Sequence, residues 1–119
     1  KLANQDPVIR DELVKLLMQG KAMSLNSARA KIPALVSERP TSIAMSSKML
    51  ATELNKSIGD LATSLQGSNS LYFVGDERAI DGGRWQRTYF QAFSGTIGGG
   101  TTQIQKNIIG ERVLGLPKK

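Results

Sequence analysis

The chain has 119 residues and a formal net charge of +6, and hydrophobic residues make up 39% of it. This length fits one domain with a modest core, and the composition is that of a globular chain. The sequence contains no Cys and no His, which excludes disulfides, cysteine nucleophiles, a histidine base and the usual zinc sites. No apolar run is long enough to cross a membrane and no signal peptide is visible, so we expect a cytoplasmic protein without a membrane partner.

The positive charge raises the question of a nucleic-acid partner. The Lys and Arg residues are scattered, and the densest cluster is Arg78, Arg84 and Arg87, with Trp85 and Tyr89 interleaved. Such a cluster could stack bases, but it is small, and a solvated or interface face is the simpler interpretation. We therefore expect no nucleic-acid partner. The net charge could also attract polyanionic ligands through long-range steering.

A first helix is predicted from Asp6-Pro7 to about Lys31. Asp6 is a good N-cap, Pro7 suits the first helical position, and Ile32-Pro33 disfavours continuation. Apolar and small residues recur along it at steps of three and four, as in one stripe of an amphipathic helix. The stripe consists of Ile9, Leu13, Leu16, Gly20, Met23, Ser27 and Ala30.

A second helix is predicted to begin near Thr41, after a connector over residues 34–40, and to close with a glycine cap at Gln66-Gly67. Its stripe consists of Ile43, Ser47, Leu50, Leu54, Ile58, Leu61 and Leu65. Two helices of similar length joined by a short loop favour an antiparallel hairpin.

The rest of the chain predicts two shorter helices. Leu71–Val74 is apolar, but with no other strand to pair with it reads as a loop or a helical turn. A third helix is predicted from about Arg84 to a stop at Ser94-Gly95, with Trp85, Tyr89, Ala92 and Phe93 on one side. A turn at Asp81-Gly82-Gly83 precedes it.

The last helix is predicted to begin at Thr101 or Thr102 and to stop at Gly115, with Pro117 beyond it. Thr102 and Gln105 have the spacing of a capping box, in which Thr102 caps and Gln105 reaches back. Four helices without a credible sheet predict an all-α fold, an antiparallel four-helix bundle.

Three glycines, Gly98–Gly100, stand directly before Thr101 and Thr102 at this helix start. Glycine lets the backbone approach a ligand closely and take positive φ, and the first turn of a helix presents unpaired N–H groups. An anionic or carbonyl-bearing ligand would fit there. The pattern is not a nucleotide P-loop or a dinucleotide fingerprint. A tight corner between helices with no ligand is the alternative that spacing leaves open.

The segment from Ile97 to Gly115 resembles the closing signature of the acyl-CoA dehydrogenase family. Members typically read Ile-Tyr-Glu-Gly-Thr-x-Gln/Glu-Ile-Gln-Arg-Asn-Ile-Ile-x-Glu-Arg-x-Leu-Gly. The positions that match, in order and without gaps, are Ile97, Gly100, Thr101, Gln103, Ile104, Gln105, Asn107, Ile108, Ile109, Glu111, Arg112, Leu114 and Gly115. A weaker match lies upstream, where the family usually has Gln-x-Leu-Gly-Gly and only Leu65 and Gly67 agree.

This resemblance implies that residues 1–119 are a single helical domain, a fragment of a larger flavoprotein. It implies FAD as cofactor and the α,β-dehydrogenation of an acyl-CoA thioester in fatty-acid or related lipid catabolism. The implied partners are the acyl-CoA substrate, an electron-transfer flavoprotein or similar acceptor, and further subunits of a homo- or hetero-oligomer, a dimer or tetramer. An acyl-CoA oxidase-like enzyme shares the fold and remains an alternative.

The resemblance also implies residue roles. Thr101 and Gln103 correspond to residues that touch the FAD of their own site. Gly67 corresponds to a residue that approaches the FAD bound mainly by a neighbouring subunit, and Thr63 stands where the family has a glutamine for that contact. Gly100 corresponds to a residue beside the substrate thioester.

Gly99 stands beside the thioester where many family members carry the glutamate base, and a glycine cannot take a proton. No catalytic residue is therefore expected in this chain, and Asp76, Glu77, Asp81 and Glu111 look solvated or structural. Two interpretations follow. Either the base lies on an earlier helix of the same domain, or a related subunit supplies it, as in actinobacterial members with a Gly-Gly-Gly-Thr turn. A non-catalytic subunit or helical oligomerisation module is the alternative to an enzyme.

Overall fold

The computed structural model describes residues 5–36 and 41–118, without the side chains of Thr41 and Ser42. Its α-helices are α1 (Pro7–Arg29), α2 (Thr41–Leu65), α3 (Arg84–Ile97) and α4 (Thr102–Arg112). Short 3₁₀ turns occupy Pro33–Leu35, Gly67–Leu71 and Ile80–Gly83, and the described chain contains no strand. The all-α prediction is confirmed. The central element is α2, against which α1, α3 and α4 all pack.

The ends of the two long helices follow the sequence signals. The Asp6 carboxylate accepts a hydrogen bond from the backbone N–H of Val8 at 2.9 Å, which confirms the N-cap of α1. The predicted glycine cap of α2 is confirmed by Gly67, whose φ is +55°. The last four residues of the predicted connector, 37–40, lie outside the described residues.

The contact between α2 and α3 depends on residues without bulky side chains. A Cβ added to Gly59 of α2 would lie 2.9 Å from the Cα of Tyr89 on α3. In the other direction, a Cβ on Gly95 of α3 would lie 3.3 Å from Cγ2 of Thr52 on α2. The predicted stop of α3 at Ser94-Gly95 is wrong, because the helix continues to Ile97. Gly95 serves close packing against α2, and this packing outweighs its low helix propensity.

The segment between α2 and α3 is an irregular connection, as predicted. Leu71 ends a 3₁₀ turn, and the following residues form a loop that places Phe73 edge-on to Phe90 of α3, with ring centroids 5.9 Å apart. The last helix ends earlier than predicted, at Arg112 instead of Gly115. The backbone N–H of Leu114 turns back to the carbonyl of Ile109 at 3.1 Å, so the chain leaves the helical path before it reaches the glycine.

Much apolar surface remains open on α1. None of its residues is buried, and the buried apolar side chains of the described chain are only Ile43, 7% exposed, and Ala92, 8% exposed. A groove of about 1070 Å³ runs between α1 and α2 to the start of α3. Its apolar lining comes from Leu13, Leu16, Leu17, Leu54, Ile58, Leu61, Ala62, Leu65, Ile80 and Trp85. No helix within 5–36 or 41–118 has the length and apolar character needed to span a bilayer.

Candidate functional site

The triple-glycine turn reverses the chain between α3 and α4. The N–H of Gly98 closes α3 through a hydrogen bond to the carbonyl of Ser94 at 2.8 Å. Gly99 and Gly100 then take φ values of +69° and +97°. These positive angles are strained for residues with a side chain, so the turn needs glycine at both positions. Gly99 and Gly100, the two predicted substrate residues, therefore present backbone without side chains in the turn between α3 and α4.

The first turn of α4 is capped one residue earlier than predicted. The Thr101 hydroxyl accepts a hydrogen bond from the backbone N–H of Ile104 at 3.3 Å, so Thr101 is the N-cap, not Thr102. The Gln105 side chain reaches back past the cap and donates to the carbonyl of Gly99 at 2.8 Å. Thr102 becomes the first helical residue because its hydroxyl bonds elsewhere, to the carboxylate of Glu53.

A cavity of about 520 Å³ opens beside this helix start. Its polar lining includes Thr101, Gln103, Lys56 and Lys106. Hydroxyl, amide and ammonium donors at the positive end of a helix dipole suit a ligand that carries anionic or carbonyl oxygens. Glu53 also borders the cavity, but one of its carboxylate oxygens is engaged by Thr102. The donor set therefore suits a ligand with phosphate or carbonyl oxygens.

Two residues at this site were missed by the sequence analysis. The Lys48 ammonium of α2 donates to the carbonyl of Gly100 at 2.7 Å, and the Glu53 carboxylate accepts from the Thr102 hydroxyl at 2.5 Å. Their partners lie 52 and 49 residues further along the chain. No local sequence pattern reveals such contacts, because they depend on how α2 and α4 pack.

Thr63 and Gly67, the other predicted cofactor residues, lie towards the far end of α2. Ten residues separate Thr63 from Glu53, or about 15 Å at the helical rise per residue. The Thr63 hydroxyl bonds back to the carbonyl of Gly59 at 2.9 Å within its own helix, whereas Gly67 is exposed. The structure therefore does not bring these residues to the glycine turn.

A buried amide pair adjoins this far end of α2. Gln86 is only 3% exposed, and its amide nitrogen donates to the amide oxygen of Gln66 at 2.8 Å. The remaining side-chain atoms, Nε2 of Gln66 and Oε1 of Gln86, are buried without a partner in the part of the chain that the structure describes. The sequence contained no sign of this pair, because its two residues belong to different elements.

The basic cluster predicted around Arg78 is partly neutralised. The Arg78 guanidinium makes two hydrogen bonds to the Asp76 carboxylate, at 2.9 and 2.8 Å, and these bonds lower the pKa of Asp76 to about 2. The same guanidinium lies 4.1 Å from the centre of the Tyr72 ring. Among the residues described, no group of three or more Asp or Glu side chains could hold a metal ion.

Comparisons with known proteins agree with this architecture. The family described as acyl-CoA dehydrogenase, C-terminal domain, matches residues 1–114. The chain is 34% identical over 117 residues to acyl-CoA dehydrogenase IpdE1 of Mycolicibacterium smegmatis, which covers 98% of this chain and 28% of that protein. It is 35% identical over 118 residues to IpdE1 of Mycobacterium tuberculosis, which covers 98% of this chain and 29% of that protein.

A solved structure described as "Tcur3481-Tcur3483 steroid ACAD" has a similar fold, with a TM-score of 0.81 at 20% sequence identity. That similarity covers 98% of this chain and 30% of the solved one. The chain thus spans less than a third of the length of the curated relatives that it matches. Because the family match extends over nearly all of its residues, the chain belongs to the acyl-CoA dehydrogenase family, in the region of the C-terminal helical domain.

Proposed function

We propose that this chain lines the flavin and thioester site of an FAD-dependent acyl-CoA dehydrogenase. The observation that carries the proposal is the glycine turn, in which two positive-φ glycines lead directly into a helix capped by Thr101. Bare backbone and a helix N-terminus in one place suit a thioester carbonyl and a phosphate-bearing cofactor. The reaction is α,β-dehydrogenation of an acyl-CoA, in lipid catabolism.

The substrate side of the site is the backbone of Gly99 and Gly100. Their N–H groups make no hydrogen bond to the residues that the structure describes, so they are free to donate to the thioester carbonyl. A carbonyl held in this way stabilises the negative charge that develops when the α-proton leaves. Because neither glycine has a side chain, the acyl group can pass close to the main chain.

The cofactor side of the site is the first turn of α4. The Thr101 hydroxyl accepts the capping bond from Ile104, which leaves its own proton free to donate to a ligand. Gln103 is exposed at the cavity and can donate through its amide. FAD bound there would accept the hydride from the β-carbon. Gly67, with Thr63 beside it, would approach the FAD of a neighbouring subunit at the far end of α2.

The α-proton has to be taken by a residue outside this chain. Gly99 replaces the carboxylate, and the nearby Glu53 is bonded to Thr102 and serves α4. A base on another helix of the same protein, or on a related subunit, completes the site. An electron-transfer flavoprotein or a similar acceptor then reoxidises the enzyme. An oxidase would release peroxide under air instead, and this release distinguishes the two activities.

Flavin content after substitution of Thr101 tests the proposal. The full-length protein, expressed with any partner subunit, should be yellow, and Thr101→Val should lower its ratio of FAD to protein. Since valine also removes the helix cap, Thr101→Ser is the matched control, which keeps both the cap and the hydroxyl and should restore the ratio. As a second control, Thr88→Val makes the same Thr-to-Val change on α3, away from the turn, and should leave the ratio unchanged. Unchanged flavin content in Thr101→Val would contradict the assignment.

Gly99 favours one second candidate, a non-catalytic subunit of a heteromeric dehydrogenase. In that case the chain would build the fold and the oligomer, and the reaction would proceed at a site on the partner. The Thr101→Val protein also distinguishes this non-catalytic role from the proposed one. If the variant assembles into the oligomer, as judged by light scattering, and keeps full flavin content and turnover, the non-catalytic role is favoured.

A further inference from the structure

Two charged side chains of α2 hold the two residues on either side of Thr101, one through a backbone carbonyl and one through a side-chain hydroxyl. Lys48 donates to the carbonyl of Gly100, at 2.7 Å, and Glu53 accepts from the hydroxyl of Thr102, at 2.5 Å. Gly100 and Thr102 are the immediate neighbours of Thr101 in sequence. The N-cap is therefore flanked by two anchors, and neither anchor uses the Thr101 hydroxyl.

The anchors are five residues apart on α2, which corresponds to about 7.5 Å along the helix axis. They therefore contact the turn at two positions along the α2 axis, and together they resist both sliding and rotation of α4 on α2. Both hydrogen bonds are partly buried and involve a charged group, so they are stronger than bonds between neutral groups. The carboxylate of Glu53 also lies at the N-terminus of α4, where the helix dipole favours negative charge.

The turn requires such anchors because its own backbone is permissive. Three consecutive glycines have more accessible conformations than any other tripeptide, and Gly99 and Gly100 must hold positive φ. Contacts inside the turn are few, apart from the bond from the Gln105 side chain to the carbonyl of Gly99. The stem of Lys48 covers the turn as well, because a Cβ added to Gly99 would lie 3.9 Å from its Cε.

We infer that Lys48 and Glu53 are positioning residues of this site, a role that rests on the proposed function. By holding Gly100 and Thr102 they fix Gly99, Gly100 and Thr101 at the distance from α2 that the thioester and the flavin need. In this role they act through Gly100 and Thr102. Small displacements of groups that bind a reacting molecule lower rates steeply. In metal sites, residues that orient the ligating groups change affinity or activity by about 10–100-fold, and we expect an effect of similar size here.

The test uses the full-length protein with any partner subunit and three readouts. These are the dissociation constant for FAD, the kcat and KM for an acyl-CoA substrate, and the amide hydrogen exchange of residues 98–105. Glu53→Ala and Lys48→Met should each weaken FAD binding by about 10-fold or more, lower kcat more than they raise KM, and speed exchange in the turn. The conservative variants Glu53→Gln and Lys48→Arg keep a hydrogen-bonding group and should recover most of the affinity.

A double-mutant cycle separates the anchor from a general loss of stability. Since Glu53 acts through Thr102, Thr102→Val should weaken FAD binding as Glu53→Ala does, and the double variant should be no worse than either single one. Glu77→Ala and Lys31→Met remove exposed charges elsewhere and serve as controls that leave FAD binding unchanged.

The failure of the proposed function and the failure of the positioning role give different results. A wild-type protein that takes up no FAD would overturn the proposed function and, with it, the positioning role. A yellow wild-type protein whose Glu53→Ala and Lys48→Met variants bind FAD equally well, with unchanged exchange in the turn, would overturn only the positioning role.

Discussion

Replacing Gly59 with alanine tests how closely α2 and α3 pack. The added Cβ would lie 2.9 Å from the Cα of Tyr89 and 3.2 Å from its backbone nitrogen, so a helix rather than a flexible side chain would have to move. Overpacking costs about 1–3 kcal/mol, and a clash with backbone atoms that cannot rotate away falls in the upper part of that range, about 2–3 kcal/mol. Alanine gains about 1 kcal/mol over glycine in a helix interior, which offsets part of the cost. We expect a net destabilisation of about 1–2 kcal/mol.

The matched control is Gly20→Ala on α1, where the added Cβ would meet only the Cδ2 atom of Leu54, at an ordinary 3.9 Å. This variant should gain about 0.5–1 kcal/mol from helix propensity alone. Amide hydrogen exchange in the full-length protein measures both effects locally. Gly59→Ala should speed exchange in α2 and α3 by about 5–30-fold, whereas Gly20→Ala should slow it in α1. Unchanged or greater protection of α2 and α3 in Gly59→Ala would refute the close helix contact.

Three further predictions follow from single residues. The pKa of Asp76, measured by NMR titration, should be about 2 and should rise towards the ordinary value near 4 in Arg78→Gln. Because the pKa of Asp76 is lower in the folded state than in the unfolded state, its carboxylate stabilises the fold fully above the unfolded pKa. This contribution is lost as the pH falls towards 2. A wild-type pKa near 4 would contradict the ion pair. Gly83→Ala should lower the melting temperature clearly, because Gly83 has a φ of +75° and its added Cβ would lie 2.5 Å from the backbone nitrogen of Val74; an unchanged melting temperature would contradict this geometry. Asp6→Ala should destabilise α1 by about 1 kcal/mol because it removes the cap, and hydrogen exchange measures this effect. Asp6→Asn should be nearly neutral. Equal effects of the two substitutions would argue against the cap.

The parts of the fold that depend on local chemistry could be predicted from the sequence. Asp6 caps α1 and Gly67 closes α2, because both signals act within a few residues. The predicted end of α3 was wrong because packing between helices overrides local preference. Gly95 looked like a stop, yet α3 continues through it because it lies against Thr52.

The candidate site shows the same division. The glycine turn and its Thr cap were visible in the sequence, because glycines before a hydroxyl residue mark a helix start. The exact cap was misplaced because Thr101 and Thr102 are equally good caps locally, and the contact of Thr102 with Glu53 decides between them. Lys48 and Glu53 had no local signal, since each meets its partner only through the packing of α2 against α4.

Reduction of bound flavin by an acyl-CoA thioester is the decisive measurement for the proposed dehydrogenase activity. The full-length protein, purified with any partner subunit and kept free of oxygen, would be titrated with fatty, branched and steroid side-chain acyl-CoA thioesters while its absorbance is recorded. We expect an oxidised flavin spectrum that bleaches with at least one thioester, together with formation of the α,β-unsaturated product. A protein that neither retains nor takes up FAD, or whose bound flavin is reduced by none of these thioesters, would contradict the proposed activity.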